Sequence, residues 1–368
     1  MELAGRCTAA DGTSAQAYWL DAIPLPGARV ALVAGSVKDG AATPAIAAEL
    51  RAAVRTLAHI DLQPEELLTR LEHVLTRLRP ADDADRHHAV TSEVTVSCLY
   101  AVYDPVSGGC TLAGAGCPAP TVVSPDGVVS TVELPISPPL GHARPPVEAT
   151  EVILPEGSVL LLRGHAPGTP GAAAETDGTA LSLPDLGPRP GLKAICQAAL
   201  DTLLADGRHA HAGVLAARTR RLGSDHVASW ELTAGLASAS EARKHVAGTL
   251  AAWGLEEAVD TTELIVSELV TNAVRHAGPP VRLRLIRQGT GLICEVSDNS
   301  CTSPHLRWAR TFDESGRGLF IVAQLTRGWG TRHHAGGKTV WAEQHLETPG
   351  TPDEARADSH STPAHAPS

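Results

Sequence analysis

The sequence predicts an α/β (α+β) protein of two units. A β-sandwich flanked by helices is expected over residues 1–218, and a two-layer α/β sandwich over 230–346. Three observations lead there. The first half orders as strand, two helices and then several strands. The second half orders as helices, two strands, a helix and closing strands. Between and after them the composition breaks. Residues 166–190 are rich in Gly, Pro, Ala and Thr, 222–228 form a short polar connector, and 347–368 have almost nothing to bury and are expected to be disordered.

Each element has its own signal. Ala28 to Ala34 is a short apolar run ending at Gly35. Val94 to Tyr103 alternates and stops at Asp104-Pro105-Val106-Ser107-Gly108-Gly109, and Cys110 to Ala115 returns antiparallel. Thr121–Val123 and Val128–Leu134 flank the turn Pro125-Asp126-Gly127. Ala149–Leu154 and Ser158–Leu162 flank Pro155-Glu156-Gly157. Helical spacing marks Pro44–Leu57 and Pro64–Leu78, each with proline in its first turn. A third helix, about 191–204, precedes a strand at Ala212–Ala217. The second unit opens at Trp230-Glu231-Leu232, with helices near 240–253 and 260–277. Asp260 and Glu263 have the spacing of a capping box. Strands follow at Val281–Leu285 and Leu292–Ser297, then a helix after Gly318 and strands near Thr331–His333 and Lys338–Glu343.

Composition excludes several classes. Of 368 residues 43% are hydrophobic and 19% charged, a globular balance. The formal net charge is −11, so a bulk electrostatic grip on nucleic acid is not expected. The seven cysteines include no C-x-x-C pair, which disfavours a disulfide framework or a Cys zinc site and favours buried thiols in a reducing cytoplasm. No run approaches the ~18 apolar residues of a membrane span, and Met1 to Gly5 lacks a signal-peptide pattern. A soluble, cytoplasmic protein is expected.

The sharpest constellation lies in the second unit. Glu268 and Asn272 are four apart and share a helix face, with Leu264, Leu269, Ala273 and Val274 as the apolar contacts. Polar side chains on a largely buried helix are costly unless something binds them. Asp298 ends an apolar strand. Gly316-Arg317-Gly318 then offers backbone to a phosphate just before a helix, and Lys338-Thr339 sits on the last strand. This ordered set resembles the ATP-binding domain of the GHKL superfamily (histidine-kinase-like ATPases), most closely the bacterial anti-sigma-factor serine kinases, over about Trp230 to Leu346. The resemblance implies ATP and Mg²⁺ as cofactors. It makes Glu268 the general base and Asn272 the Mg²⁺ ligand. It gives Asp298 the adenine amino group with help from Thr339, and sets Gly316, Arg317 and Gly318 along the phosphates. Two departures stand out: Asp298-Asn299-Ser300 lacks the family's glycine, and Ser315 replaces a further one.

Residues from about Gly5 to Arg218 resemble PPM-type, SpoIIE-like serine/threonine phosphatases. The resemblance rests on Tyr18 to Pro26, Val30 to Ala48, Leu99 to Pro105, Ala113 to Gly116 and Val152 to Leu162. That family holds two divalent ions on aspartates. Here the expected positions carry Tyr18, Ser36 and His165, and the late acidic pair falls near Ala210-His211. Hard cations need several oxygen ligands, which these residues do not rebuild. Asp39 is displaced along its loop, while Asp21 and Asp104 match structural positions. The implied reading is a pseudophosphatase. A histidine-based metal site built on His165, His211 and His209 is an alternative, whereas His87-His88 and His333-His334 are expected on solvated loops.

Together the two resemblances imply a bacterial partner-switching regulator of transcription. Its kinase would act on an anti-anti-sigma protein and bind a sigma factor, with a homodimer as a family expectation and no direct contact with nucleic acid or membrane. A non-catalytic sequestration module and a residual metal-dependent phosphatase are the competing readings.

Overall fold

A computed structural model describes residues 1–7, 16–38, 43–78, 94–135, 137–141, 147–164, 181, 183–184, 190–205, 212–233, 235, 237–300, 302, 318–334 and 336–346. Fifteen strands among these residues form three five-stranded sheets in which every paired neighbour is antiparallel.

The first sheet joins β1 (Glu2–Cys7), β10 (Gly213–Arg218), β9 (Val159–Gly164), β6 (Thr121–Val123) and β7 (Val129–Thr131), in that order. The second joins β2 (Gln16–Pro24), β3 (Val30–Lys38), β4 (Thr95–Tyr103), β5 (Gly109–Ala115) and β8 (Ala149–Ile153). They pack face to face through Leu32, Ala34, Leu99 and Ala101 on one side and Leu160, Leu162, Leu215 and Ala217 on the other. Alternation sends Ala31, Val33 and Val37 of β3 to the opposite face. There they meet α1 (Thr43–His59) and α2 (Pro64–Leu78). Ala47, Leu50, Val54 and Ala58 line the buried side of α1, and Leu67, Leu68, Leu71 and Leu75 that of α2, at helical spacing. On the far side α3 (Leu192–Ala205) covers Leu161, Val214 and Ala216.

The third sheet runs β11 (Val227–Leu232), β12 (Val281–Gln288), β13 (Gly291–Asp298), β15 (Gly337–His345) and β14 (Gly328–His334). Leu283, Leu285, Leu292, Cys294, Val296 and Val340 turn one face to α4 (Ser238–Ala252), α5 (Val259–His276) and α6 (Gly318–Leu325). No strand pairs across from the first two sheets to the third among the described residues.

Several local expectations need correction. β1 carried no sequence signal that we read as a strand, and its side chains are exposed but for one half-buried position. α5 begins at Val259, so Asp260 lies inside its first turn. Its N-cap is Ala258, with no side-chain capping bond, so the capping-box reading does not hold. Leu264 is 42% exposed instead of packing inward. His333 and His334 end a strand instead of lying on a loop, and the connector gives up Val227 and Ala228 to β11. Asp39, His87, His88, His165, His209, His211, Ala210, most of the 166–190 loop and the tail lie outside the described residues.

Candidate nucleotide site and the altered cleft

α5 is amphipathic for a plain reason. Thr262, Ile265, Val266, Leu269, Val270 and Ala273 recur at three- and four-residue steps and are buried against the sheet. That register leaves Glu268 and Asn272 half-buried on the flank, one turn apart. α6 packs beside this flank, and its first residue, Gly318, lies against the Glu268 carboxylate. A Cβ there would meet Glu268 Oε2 at 2.1 Å. Gly316 and Arg317 lie outside the described residues.

Asp298 closes β13 on the helix-covered face, 2% exposed. Cross-strand register puts it opposite Lys338. Lys338 Nζ donates to Asp298 Oδ1 at 2.8 Å, and the Ser300 amide donates to the same oxygen at 2.8 Å. Both side chains of this ion pair are nearly inaccessible, at 6% and 1%. Gly337 makes the turn into β15 workable. Its φ is +137°, and a Cβ would come within 2.0 Å of the Asp298 carbonyl oxygen. Thr339 is the exception to the expected grouping. It pairs with Ser297, hydroxyl to hydroxyl at 2.8 Å, on the face opposite Asp298. Its side chain is therefore not an assistant to Asp298, and Lys338 is the neighbour that the sequence reading missed. Only cross-strand register could have revealed it.

The second place of interest is the end of the β-sandwich. Tyr18, Ser36 and Ser97 sit opposite one another across β2, β3 and β4. Ser36 Oγ and Ser97 Oγ lie 2.7 Å apart and are buried. The Tyr18 ring reaches Gly164 of the facing sheet, where an added Cβ would stand 3.4 Å from Tyr18 Cδ1. Gly35 is held free of a side chain by the Trp19 ring, which lies 2.0 Å from where its Cβ would be. The cross-strand row is thus uncharged. The nearby acids have other tasks. Arg55 and Arg51 ion-pair with Asp21, and the Arg55 hydrogen bond holds its carboxyl below the usual carboxylate range. Asp104 accepts from the Val106 amide and the Ser107 hydroxyl in its turn. Among the described residues no group of three His, Cys, Asp or Glu is placed to hold a metal. The described cysteines are all free thiols. Burial pushes Cys110, Cys117 and Cys294 up to about 12, which makes them inert.

Two family comparisons match one unit each. Residues 26–163 match Stage II sporulation protein E (SpoIIE), and residues 232–343 match the histidine kinase-like ATPase domain.

The chain joins a SpoIIE-type domain to a histidine kinase-like ATPase domain.

The candidate nucleotide site belongs to the ATPase domain, and the uncharged row to the SpoIIE-type domain. Solved structures of similar shape include the RsbU and RsbW domains of Rv1364c from Mycobacterium tuberculosis, 21% identical, with 95% of each chain covered and a TM-score of 0.47. The PP2C phosphatase domain of SpoIIE from Bacillus subtilis, with a fragment of its regulatory domain, is 14% identical. It covers 60% of this chain and 65% of that one, at TM-score 0.42. A serine/threonine phosphatase from S. agalactiae is 11% identical over 60% and 99%, at TM-score 0.43. No curated protein matches the chain. Among the described residues no helix is long and apolar enough to cross a membrane.

Proposed function

We propose that the ATPase domain is an ATP-dependent protein serine/threonine kinase of the anti-sigma type, and that the SpoIIE-type domain is a pseudophosphatase. The chain would act in partner-switching control of transcription, on an anti-anti-sigma protein and a sigma factor, in the cytoplasm. The observation that carries the kinase reading is that Glu268 and Asn272 lie one turn apart on one flank of α5, with the N-terminus of α6 against Glu268. The same domain holds the buried carboxylate of Asp298 on its helix-covered face.

The residues present fit Mg²⁺ with a nucleotide. Asn272 offers an amide oxygen, which a hard cation accepts, and Mg²⁺ usually draws its other ligands from phosphates and water. When bound, that ion would offset charge on the triphosphate. Glu268 would take the proton of the acceptor serine hydroxyl, because a half-buried carboxylate one turn from the phosphate-side ligand is a general base in reach of the transfer. Asp298 would orient the adenine. Among the described residues its two bonds fall on Oδ1, which would leave Oδ2 for the exocyclic amine. Gly316, Arg317 and Gly318 would line the phosphates, the last with its backbone already against Glu268.

The residues of the sandwich cleft do not fit two divalent ions. Tyr18, Ser36 and Ser97 are neutral, and Asp21 is committed to two arginines. The test is incubation of the full chain with labelled ATP, Mg²⁺ and a candidate anti-anti-sigma protein. Label on a serine of that protein is expected. Absence of label, together with a melting curve unmoved by millimolar Mg-ATP, would remove the kinase reading.

A further inference from the structure

Part of the outer face of the ATPase sheet is covered by the SpoIIE-type domain. Ile286 and Ile293 are buried there against Ala28 of the SpoIIE-type domain. Beside them lies a network of three guanidiniums and two carboxylates. Arg29 pairs with Asp61, Asp61 with Arg332 at 3.6 Å, Arg332 with Glu295 at 2.8 Å, and Glu295 with Arg284 at 3.3 Å. Both carboxylates are 3% exposed. The Gln63 amide donates to the His333 carbonyl at the edge of the same patch.

The backbone is shaped to reach this network. Among the described residues two non-glycine positions have positive φ, Ala28 and Asp61, both at 63°, and both lie in this contact. Left-handed backbone at such residues costs free energy and persists where the surroundings enforce it. Gly27, at φ 76°, passes so close that a Cβ would stand 2.4 Å from Glu295 Oε1. Buried charges that lose one partner are strongly penalised, so the network holds best with all its members present.

Its position matters as much as its composition. Glu295 and Asp298 are three residues apart on β13, one facing the SpoIIE-type domain and the other the helices. Arg332 pairs in register with Thr339, next to Lys338. On the other side Arg29 leads directly into β3, which carries Ser36 to the uncharged row. Asp61 sits between α1 and α2, and α1 supplies Arg51 and Arg55 to Asp21.

We propose that the Arg29–Asp61–Arg332–Glu295–Arg284 network is the docking surface by which the SpoIIE-type domain senses nucleotide occupancy of the ATPase domain. The occupant of the outer sheet face is the chain's own 26–29 turn and α1–α2 turn. A bound nucleotide at Asp298 biases the end of β13, and β13 passes that bias to Glu295. By linkage the dependence is reciprocal: a change at Asp61 alters nucleotide affinity. This inference rests on the nucleotide-binding reading above.

The test uses the full chain. Asp61→Asn keeps the shape, and asparagine tolerates left-handed backbone, but the charge is gone. We expect it to weaken Mg-ATP binding at least about fivefold, the lower end of usual coupling between sites. Asp21→Asn, which breaks a half-exposed ion pair of the same domain away from the contact, should leave that affinity unchanged. In the wild-type chain, saturating Mg-ATP should alter hydrogen exchange at 26–30 and 59–63. This second readout needs no variant. The proposal is overturned if the wild type binds Mg-ATP while exchange at both segments stays the same. Wild-type affinity in Asp61→Asn overturns it too, as does an equal loss in Asp61→Asn and Asp21→Asn. A wild-type chain that does not bind Mg-ATP removes the nucleotide reading and this coupling together.

Discussion

Asp298 is asked to do two things with one carboxylate. It holds the Lys338 ammonium inside the protein, and in the proposed function it orients adenine. The two roles separate by mutation. Asp298→Ala removes an ionic acceptor worth roughly 1.5–3 kcal/mol, so Mg-ATP affinity should fall about 10- to 150-fold, read by calorimetry. It also leaves Lys338 buried without its partner, so the melting midpoint of the free protein should fall as well. Glu268→Gln should behave differently. The amide keeps the size and the contact with Gly318, so Mg-ATP binding should stay near wild type while phosphotransfer is lost, because an amide cannot take the serine proton. Equal phosphotransfer by the two proteins would remove Glu268 from the role of base.

Helices were the most legible elements, because burial on one side of a cylinder writes itself at fixed spacing. The sequence bounds of α2, Pro64 to Leu78, are those observed, and Leu67, Leu68, Leu71 and Leu75 explain why. β1 was illegible for the converse reason: a strand with exposed side chains has no alternation to read. Partnerships across strands were also hidden. Nothing in the run Lys338-Thr339 says which residue faces Asp298 until register is known, and register gives that place to Lys338. Gly337 shows how local backbone serves this site. Alanine there would carry a positive φ and a Cβ 2.0 Å from a carbonyl oxygen. Gly337→Ala should cost roughly 1–3 kcal/mol of stability and weaken nucleotide binding with it, both read from melting curves with and without Mg-ATP. In the other domain, β2 is tied to α1 by Asp21. Its carboxyl is depressed by Arg55, so the stability it contributes is present above the pKa of an unfolded aspartate. That stability is lost as pH falls through the lower folded value. Asp21→Asn should therefore lower the melting midpoint at neutral pH, and the gap to wild type should close as pH falls below the ordinary aspartate range.

At the scale of the whole molecule, two domains with different chemical endowments share one chain. In the proposed function the ATPase domain offers a nucleotide the Glu268 carboxylate, the Asn272 amide and the buried Asp298. The SpoIIE-type domain keeps its sandwich, with Leu32, Leu99 and Leu162 in the packed interior, but an uncharged row at the end of it. Shape survives such a change readily, because the sandwich is held by apolar burial between the sheets and does not need an ion to fold. In the proposed function the metal chemistry does not survive it. Replacing aspartates by tyrosine and serine removes both the charge and the bidentate oxygens that hold a hard divalent ion, and no described residue near them restores either. Mn²⁺ titrated into the nucleotide-free full chain should therefore give no stoichiometric binding, and Mn²⁺ should not raise hydrolysis of a phosphoserine peptide above background. The nucleotide-free condition matters, since it keeps the ATPase domain from drawing in metal with ATP. Tight binding of two Mn²⁺ per chain, or Mn²⁺-dependent hydrolysis, would show that residues beyond those described supply the missing ligands, and the pseudophosphatase reading would fall.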